Sequence, residues 1–161
     1  MTVRAEQVRL RPVGAADDTF ILSVYASTRA DELQQVPWTA EQKEAFVKMQ
    51  FASQKQHYEA SYPQASHDLI CMDETDVGRI YLDRGAENFH ILDVTVLPQY
   101  RNQGIGGVLL RRLLDEAGQS GKTVTIYVET FNPSVRFFER LGFQKDQEIG
   151  FQLLLKREPT R

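Results

Sequence analysis

The sequence predicts an α/β (α+β) domain, a mixed sheet with helices on both faces, and three observations carry that prediction. Apolar, β-branched runs with period-two alternation recur, as in Lys122 to Glu129, where Val124, Ile126 and Val128 alternate with Thr123, Thr125 and Tyr127. Several such runs are separated only by short polar turns, which makes hairpins. Segments with helical spacing stand between them. Strands, hairpins and helices in this mixture pack as a sheet covered on both sides.

Gln7 to Pro12 reads as the first strand, with Val8 and Leu10 on a buried face and Arg9 and Arg11 on a charged one. Asp17 to Ser27 is the first helix: Phe20, Ile21, Val24 and Tyr25 have helical spacing, and acid at its start suits the helix dipole. Arg29 to Trp38 reads as a polar linker, with Pro37 near its end. Thr39, with Gln42 three residues on, makes a capping box for a helix that carries Phe46, Met49, Phe51 and Tyr58 and stops near Ser61-Tyr62-Pro63.

His67 to Met72 and Val77 to Asp83 form a hairpin about the turn Asp73-Glu74-Thr75-Asp76, and Arg84 to Asn88 is the next turn. The strand His90 to Leu97 follows. Val108 to Ala117 is a helix that ends at Gly118 and Gly121, where glycine is expected past a helix end. After the strand Lys122 to Glu129, Asn132 to Leu141 makes a short helix with Pro133 in its first turn and Gly142 as its stop. Phe143 to Gln147 and Gly150 to Lys156 close the chain as a hairpin.

With 161 residues, 42% of them hydrophobic, the chain is expected to form a single domain over residues 1–161 with a core of its own. No stretch approaches the roughly 20 apolar residues of a membrane span, and Met1 to Arg11 lacks a signal-peptide core, so a cytoplasmic protein with no membrane partner is expected. A net charge of -3 argues against nucleic acid, which leaves a basic footprint. Cys71, the single cysteine, excludes an internal disulfide and reads as a small buried apolar side chain. His57, His67 and His90 lack the spacing of a metal site, so no metal is expected.

The stretch Leu97 to Leu110 is the most informative. Between a strand and a helix it places Arg101, Asn102, Gln103, Gly104, Ile105, Gly106 and Gly107. The first amides of a helix lack intrahelical partners and sit at the positive end of the dipole, so phosphate oxygens fit there. Glycines let a bulky anion approach the backbone and let the loop curl through positive φ. Arg101 adds charge at the rim. A P-loop would need a closing Lys-Ser/Thr pair, and a dinucleotide fingerprint a third glycine where Leu109 stands. The loop alone leaves a glycine-rich turn without a ligand as the alternative.

A second motif narrows the choice. Asn132-Pro133-Ser134-Val135-Arg136-Phe137-Phe138-Glu139-Arg140-Leu141-Gly142-Phe143, about thirty residues after Arg101-x-x-Gly104-x-Gly106, resembles the GNAT family of N-acetyltransferases. The resemblance covers the chain well from about Asp76 onward and the first half loosely. It implies a GNAT-like, mostly antiparallel twisted sheet of six to seven strands, with acetyl-CoA as co-substrate. In that family the loop holds the coenzyme A pyrophosphate, and the Asn132 to Phe143 segment lies beside the pantetheine arm. Asn132, Ser134 and Phe138 are thereby implied as coenzyme contacts, and backbone groups of Val94 and Val96 as contacts of the acetyl and pantetheine portions, next to a bulge that splays their strand from Lys122 to Glu129. The region of the first two helices would wall the acceptor cleft, making Gln34, Trp38, Gln50, Gln54 and Tyr58 candidate substrate contacts.

An amine attacks a thioester only with its lone pair free, and a lysine-like amine with a pKa near 10.4 is protonated at neutral pH. A base must take that proton, directly or through water, and a strand amide can stabilise the negative charge on the carbonyl oxygen. His90, Asp93 and Glu129 are the candidate bases. His90 stands fourteen residues before Gly104, where some family members carry a glutamate base. In a regular strand His90 and Asp93 face opposite ways unless a bulge intervenes. Glu129 could instead hold a cationic acceptor, which Asp31, Glu32, Glu41 and Glu44 would also favour.

The chain departs from the family pattern at Phe138, where many members have a tyrosine that protonates the leaving thiolate. Tyr127 or Tyr81 could supply that proton, or the thiolate could leave unaided. The expected function is therefore acetyl-CoA-dependent N-acetylation of a small amine or exposed amino group by direct attack in a ternary complex, with a homodimer compatible. A non-catalytic acyl-CoA-binding or sensing module is the alternative.

Overall fold

A computed structural model describes residues 3–159. The chain order is β1 (Val8–Pro12), α1 (Asp18–Gln34), α2 (Ala40–Ser61), β2 (Ser66–Met72), β3 (Thr75–Arg84), β4 (Asn88–Val96), α3 (Ile105–Gln119), β5 (Thr123–Glu129), α4 (Ser134–Arg140), β6 (Gln144–Ile149) and β7 (Gln152–Arg157). The seven strands form one sheet in the order β1-β2-β3-β4-β5-β7-β6. All neighbours run antiparallel except β4 and β5, which the α3 crossover makes parallel.

The two faces bury different sets. Ile70, Ile80, Ile91, Val124 and Leu155 project toward α3 and α4 and pack with Ile105, Leu110, Leu113, Phe138 and Phe143. On the opposite face Ile21, Leu69 and Cys71 pack with Phe20 and Phe51 under α1 and α2. The expected capping box is present: Thr39 Oγ1 accepts from the Gln42 amide at 3.1 Å, and Gln42 Oε1 accepts from the Thr39 amide at 3.0 Å. Among the described residues no helix is long and apolar enough to cross a membrane.

Two expectations are corrected. The stretch expected as a linker from Arg29 continues α1 to Gln34. Residues 29–34 contain no glycine or proline, and Arg29 pairs with Glu32 at 3.1 Å, three residues on. Leu10, expected to be buried with Val8, is 38% exposed while Val8 is 2% exposed. Val8 belongs to the core cluster that packs on α3, whereas Leu10, further along the same edge strand, is outside it.

Gly78 sets how closely β3 and β4 lie. A Cβ there would collide with the Thr95 carbonyl and press on the Val96 Cα at 3.0 Å. Both obstacles are backbone, so neither moves cheaply. Gly78→Ala is expected to lower unfolding free energy by about 2 kcal/mol, seen as a lower denaturant midpoint with unchanged slope.

Candidate active site

The central feature is a gap in the sheet. β4 and β5 pair only over Asn88–Ile91 and Thr123–Ile126, although β4 runs on to Val96 and β5 to Glu129. Against β3 the β4 ladder is interrupted once: Leu82 pairs with Ile91 and Tyr81 with Asp93, so Leu92 is the extra, bulged residue. The bulge reverses the alternation of side chains. Phe89 and Ile91 before it, and Val94 and Val96 after it, all face the α3 core. His90 and Asp93 therefore share the opposite face, the case that the sequence left conditional on a bulge.

The ladder also aims the backbone. The Leu97 amide donates to Val77 O at 2.8 Å, which makes these two a hydrogen-bonded pair. Alternation then turns the amides and carbonyls of Thr95 and Asp93 toward β3, and those of Val94 and Val96 away from it, toward the gap. Arg101 Nε reaches the Val96 carbonyl at 3.1 Å, as this direction requires. The guanidinium is thereby fixed at the rim.

Beyond Arg101 the chain curls through positive φ at Asn102 (+63°) and Gly104 (+88°) into α3. Among the described residues no side chain caps this helix, and the first amide to bond back is that of Val108, to Gly104 O at 3.1 Å. The amides from Gln103 to Gly107 thus have no protein acceptor among the described residues. Ile105, 2% exposed, anchors the turn in the core while its amide stays open. A Cβ on Gly106 would meet only Phe137 at an ordinary 3.5 Å, so protein packing does not require glycine there. At the other wall Asn132 Oδ1 accepts from the Ser134 amide at 2.9 Å and starts α4.

His90 Nδ1 lies 2.8 Å from Thr125 Oγ1, its partner on β5. Asn88 Nδ2 donates to the same oxygen at 2.9 Å and accepts at its own Oδ1 from Thr123 Oγ1 at 2.7 Å, so the ring is tied into a row of β5 hydroxyls. Tyr62 and Tyr127 border the ring, the latter edge-on at 5.5 Å. Burial pushes the imidazole below its ordinary pKa and keeps it neutral. Glu129, two residues beyond Tyr127 on the same face of β5, makes no ion pair among the described residues.

Asp93 is differently placed. Its Oδ2 accepts from Arg79 Nε at 2.7 Å and its Oδ1 from Thr95 Oγ1 at 3.0 Å, so the carboxylate holds neighbours and is not free in the cleft. Phe138, expected beside the coenzyme, is 3% exposed and packs edge-on against Phe137 and Phe143, because its position on α4 points into the core. Tyr81 is 8% exposed, stacked on His67 at 4.3 Å and edge-on to Tyr58 of α2 at 5.1 Å, whereas Tyr127 is 44% exposed.

The expected acceptor wall is also divided. Trp38 is exposed and packs edge-on against Phe46, and Gln34 is exposed at the end of α1. Gln50 Oε1 is buried without a partner among the described residues. Gln54 and Tyr58 instead point at the sheet: Gln54 accepts from Arg79 Nη2 at 2.8 Å, and Tyr58 donates to the Leu92 carbonyl at 3.0 Å. Sequence reasoning passed over Arg79. Its signal was a lone cation inside the apolar run Val77 to Leu82. Among the described residues no cluster of His, Cys, Asp and Glu could hold a metal.

The Acetyltransferase (GNAT) family model matches residues 28–143. The chain belongs to the GNAT acetyltransferase family. A search of curated proteins finds no significant match. Solved structures agree in fold. PaiA N-acetyltransferase from Thermoplasma acidophilum, solved with coenzyme A, has a TM-score of 0.72 at 18% identity over 94% of this chain and 98% of its own. The ribosomal-protein-S18-alanine N-acetyltransferase of Escherichia coli gives 0.62 at 17% identity over 96% and 95%. A GNAT family acetyltransferase from Elizabethkingia anophelis with acetyl-CoA bound gives 0.61 at 16% identity over 95% and 99%. The seven-stranded, mostly antiparallel sheet of this GNAT chain is the fold that they share.

Gly106 separates a ligand role from a packing role. Gly106→Ala is expected to leave the melting temperature unchanged or slightly higher, since alanine favours the helix. If the open amides of this loop are the coenzyme site, Gly106→Leu is expected to weaken coenzyme A binding about tenfold by calorimetry, because a bulky side chain would keep an anion from the backbone.

Proposed function

We propose that this GNAT chain transfers an acetyl group from acetyl-CoA to an amine, by direct attack in a ternary complex. The observation that carries the reading is a juxtaposition: the open amides of Gln103 to Gly107 and the outward edge of β4 border one gap in the sheet. A diphosphate on the loop, with Arg101 beside it, would lead a pantetheine arm along Val96 and Val94, with Asn132 and Ser134 on the far wall. The thioester supplies the activated acetyl group. The Val94 amide, turned into the gap, would stabilise charge on the carbonyl oxygen.

His90 is the proposed base. Its ring is neutral at neutral pH, it faces the side of the sheet walled by α1 and α2, and Thr125 fixes its orientation. With Nδ1 donating to Thr125, Nε2 keeps the lone pair that would take a proton from the ammonium, directly or through water. Glu129 would hold the cationic acceptor before deprotonation. Asp93, bound to Arg79 and Thr95, supports β4 and takes no part in proton transfer. Tyr127 is the proposed proton donor to the leaving thiolate, and a thiol with a pKa near 8.5 also leaves largely unaided.

A second reading, acyl-CoA binding without transfer, is favoured by one observation: the position where many family members have a tyrosine is a buried phenylalanine, Phe138. Thiol release from acetyl-CoA across a panel of amines decides between them. Transfer predicts steady release, reduced about a hundredfold in His90→Ala, and a raised KM for cationic acceptors in Glu129→Gln. Binding of coenzyme with no release under any amine supports the second reading.

The sign of the pH dependence follows from the burial of His90. The neutral ring is the active form and the fold favours it, so kcat/KM is expected to hold through neutrality. It is expected to fall only below the ordinary imidazole range near 6.5, and His90→Ala removes that acid limb. His67, pushed down to about 4 by burial and by the nearby cations Arg79 and Lys55, stays neutral over the same interval. A ring that resists protonation in the fold costs stability as pH drops from about 6.5 toward 4. His67→Phe is accordingly expected to lose less melting temperature over that interval than the wild type.

A further inference from the structure

The bulge at Leu92 is held from the α2 side by residues outside the glycine loop and the α4 motif. Tyr58 Oη donates to the Leu92 carbonyl at 3.0 Å. One turn earlier on the same helix face, Gln54 Oε1 accepts from Arg79 Nη2 at 2.8 Å, and Arg79 Nε donates to Asp93 at 2.7 Å. The bulged residue and its successor are thus each linked to α2. Arg79 is 2% exposed, with its guanidinium 5.7 Å over the Phe51 ring, a third α2 residue. The Tyr58 ring is seated edge-on against Tyr81 at 5.1 Å.

Burying a guanidinium costs desolvation that an aliphatic side chain at position 79 would avoid. What the charged pair adds is direction: it specifies where Asp93 sits relative to α2. That matters because a bulge loosens the ladder and re-aims the residues after it. Burial pushes the Tyr58 hydroxyl up to about 12, so it remains a donor at any working pH.

We propose that Tyr58 and the Arg79–Asp93 pair are positioning residues for acetyl transfer: they hold the β4 bulge in the conformation that turns the Val94 amide into the gap. The proposal rests on the acetyl-transfer reading above. A misplacement of about 1 Å in an active site can cost about a hundredfold in rate. The pyrophosphate loop begins beyond Leu97, after β4 has rejoined β3 through regular pairs. Loosening the bulge should therefore slow transfer while the grip on the coenzyme persists.

The test uses the full chain and Tyr58→Phe, which removes one hydroxyl and keeps the ring against Tyr81, with Gln54→Leu as an independent cut at the Arg79 link. Expected are a kcat for thiol release at least about tenfold lower, a coenzyme A Kd unchanged within twofold, and faster hydrogen exchange at the β3-paired amides of Asp93 and Thr95 with α3 unaltered. Wild-type kcat or wild-type exchange in both variants overturns the proposal, as does a parallel loss of kcat, coenzyme affinity and melting temperature, which marks general damage. A wild-type chain that binds coenzyme but releases no thiol removes the acetyl-transfer reading and the proposal with it. A wild type that transfers, beside variants that match it, overturns the proposal alone.

Discussion

Everything distinctive in this fold depends on one strand meeting two demands. β4 must stay bonded to β3 along its length, yet leave β5 after Ile91. A regular strand between two partners has no unpaired edge to offer. One extra residue, Leu92, changes that, because it re-aims the chain and exchanges the face to which every later side chain points. Val94 and Val96 then keep their side chains in the α3 core while their backbone groups look into the gap. Close packing against β3 through Gly78 keeps the second half of the strand from drifting.

The loop that follows uses the ordinary incompleteness of a helix start. Among the described residues α3 has no capping side chain and its first amides remain open, and the chain turns into them through positive φ at Asn102 and Gly104. Ile105 buries its side chain at the same point, which fixes the turn without occupying its polar groups. α2 shows the opposite solution. There the Thr39 hydroxyl accepts from the Gln42 amide and the Gln42 side chain from the Thr39 amide, so part of the helix start is closed by its own side chains.

Charge is distributed by the same geometry. Of the three acidic or basic groups expected to move protons, Asp93 is matched by the buried Arg79, and that match ties it to the frame. His90 has a neutral ring between two tyrosines and a threonine, and Glu129 stands at the open end of β5. The acids near the α1–α2 turn are partly cancelled where they stand: Glu32 pairs with Arg29 and Glu44 with Lys48.

The sequence by itself determined what depends on neighbours within a few residues. The Thr39–Gln42 box, the glycines at 104, 106 and 107, the alternation of Lys122 to Glu129 and the start of a helix after Asn132 were all legible, because capping, φ preference and side-chain period act locally. The tertiary structure decided what depends on register. The position of the bulge, the commitment of Asp93 to Arg79 fourteen residues away, and the links of Leu92 and Arg79 to α2 residues 34 and 25 positions away all follow from how strands and helix come together. Phe138 turned inward for the same reason. A shift of one residue reverses a strand's faces, and no local pattern in His90 to Leu97 shows which residue supplies that shift.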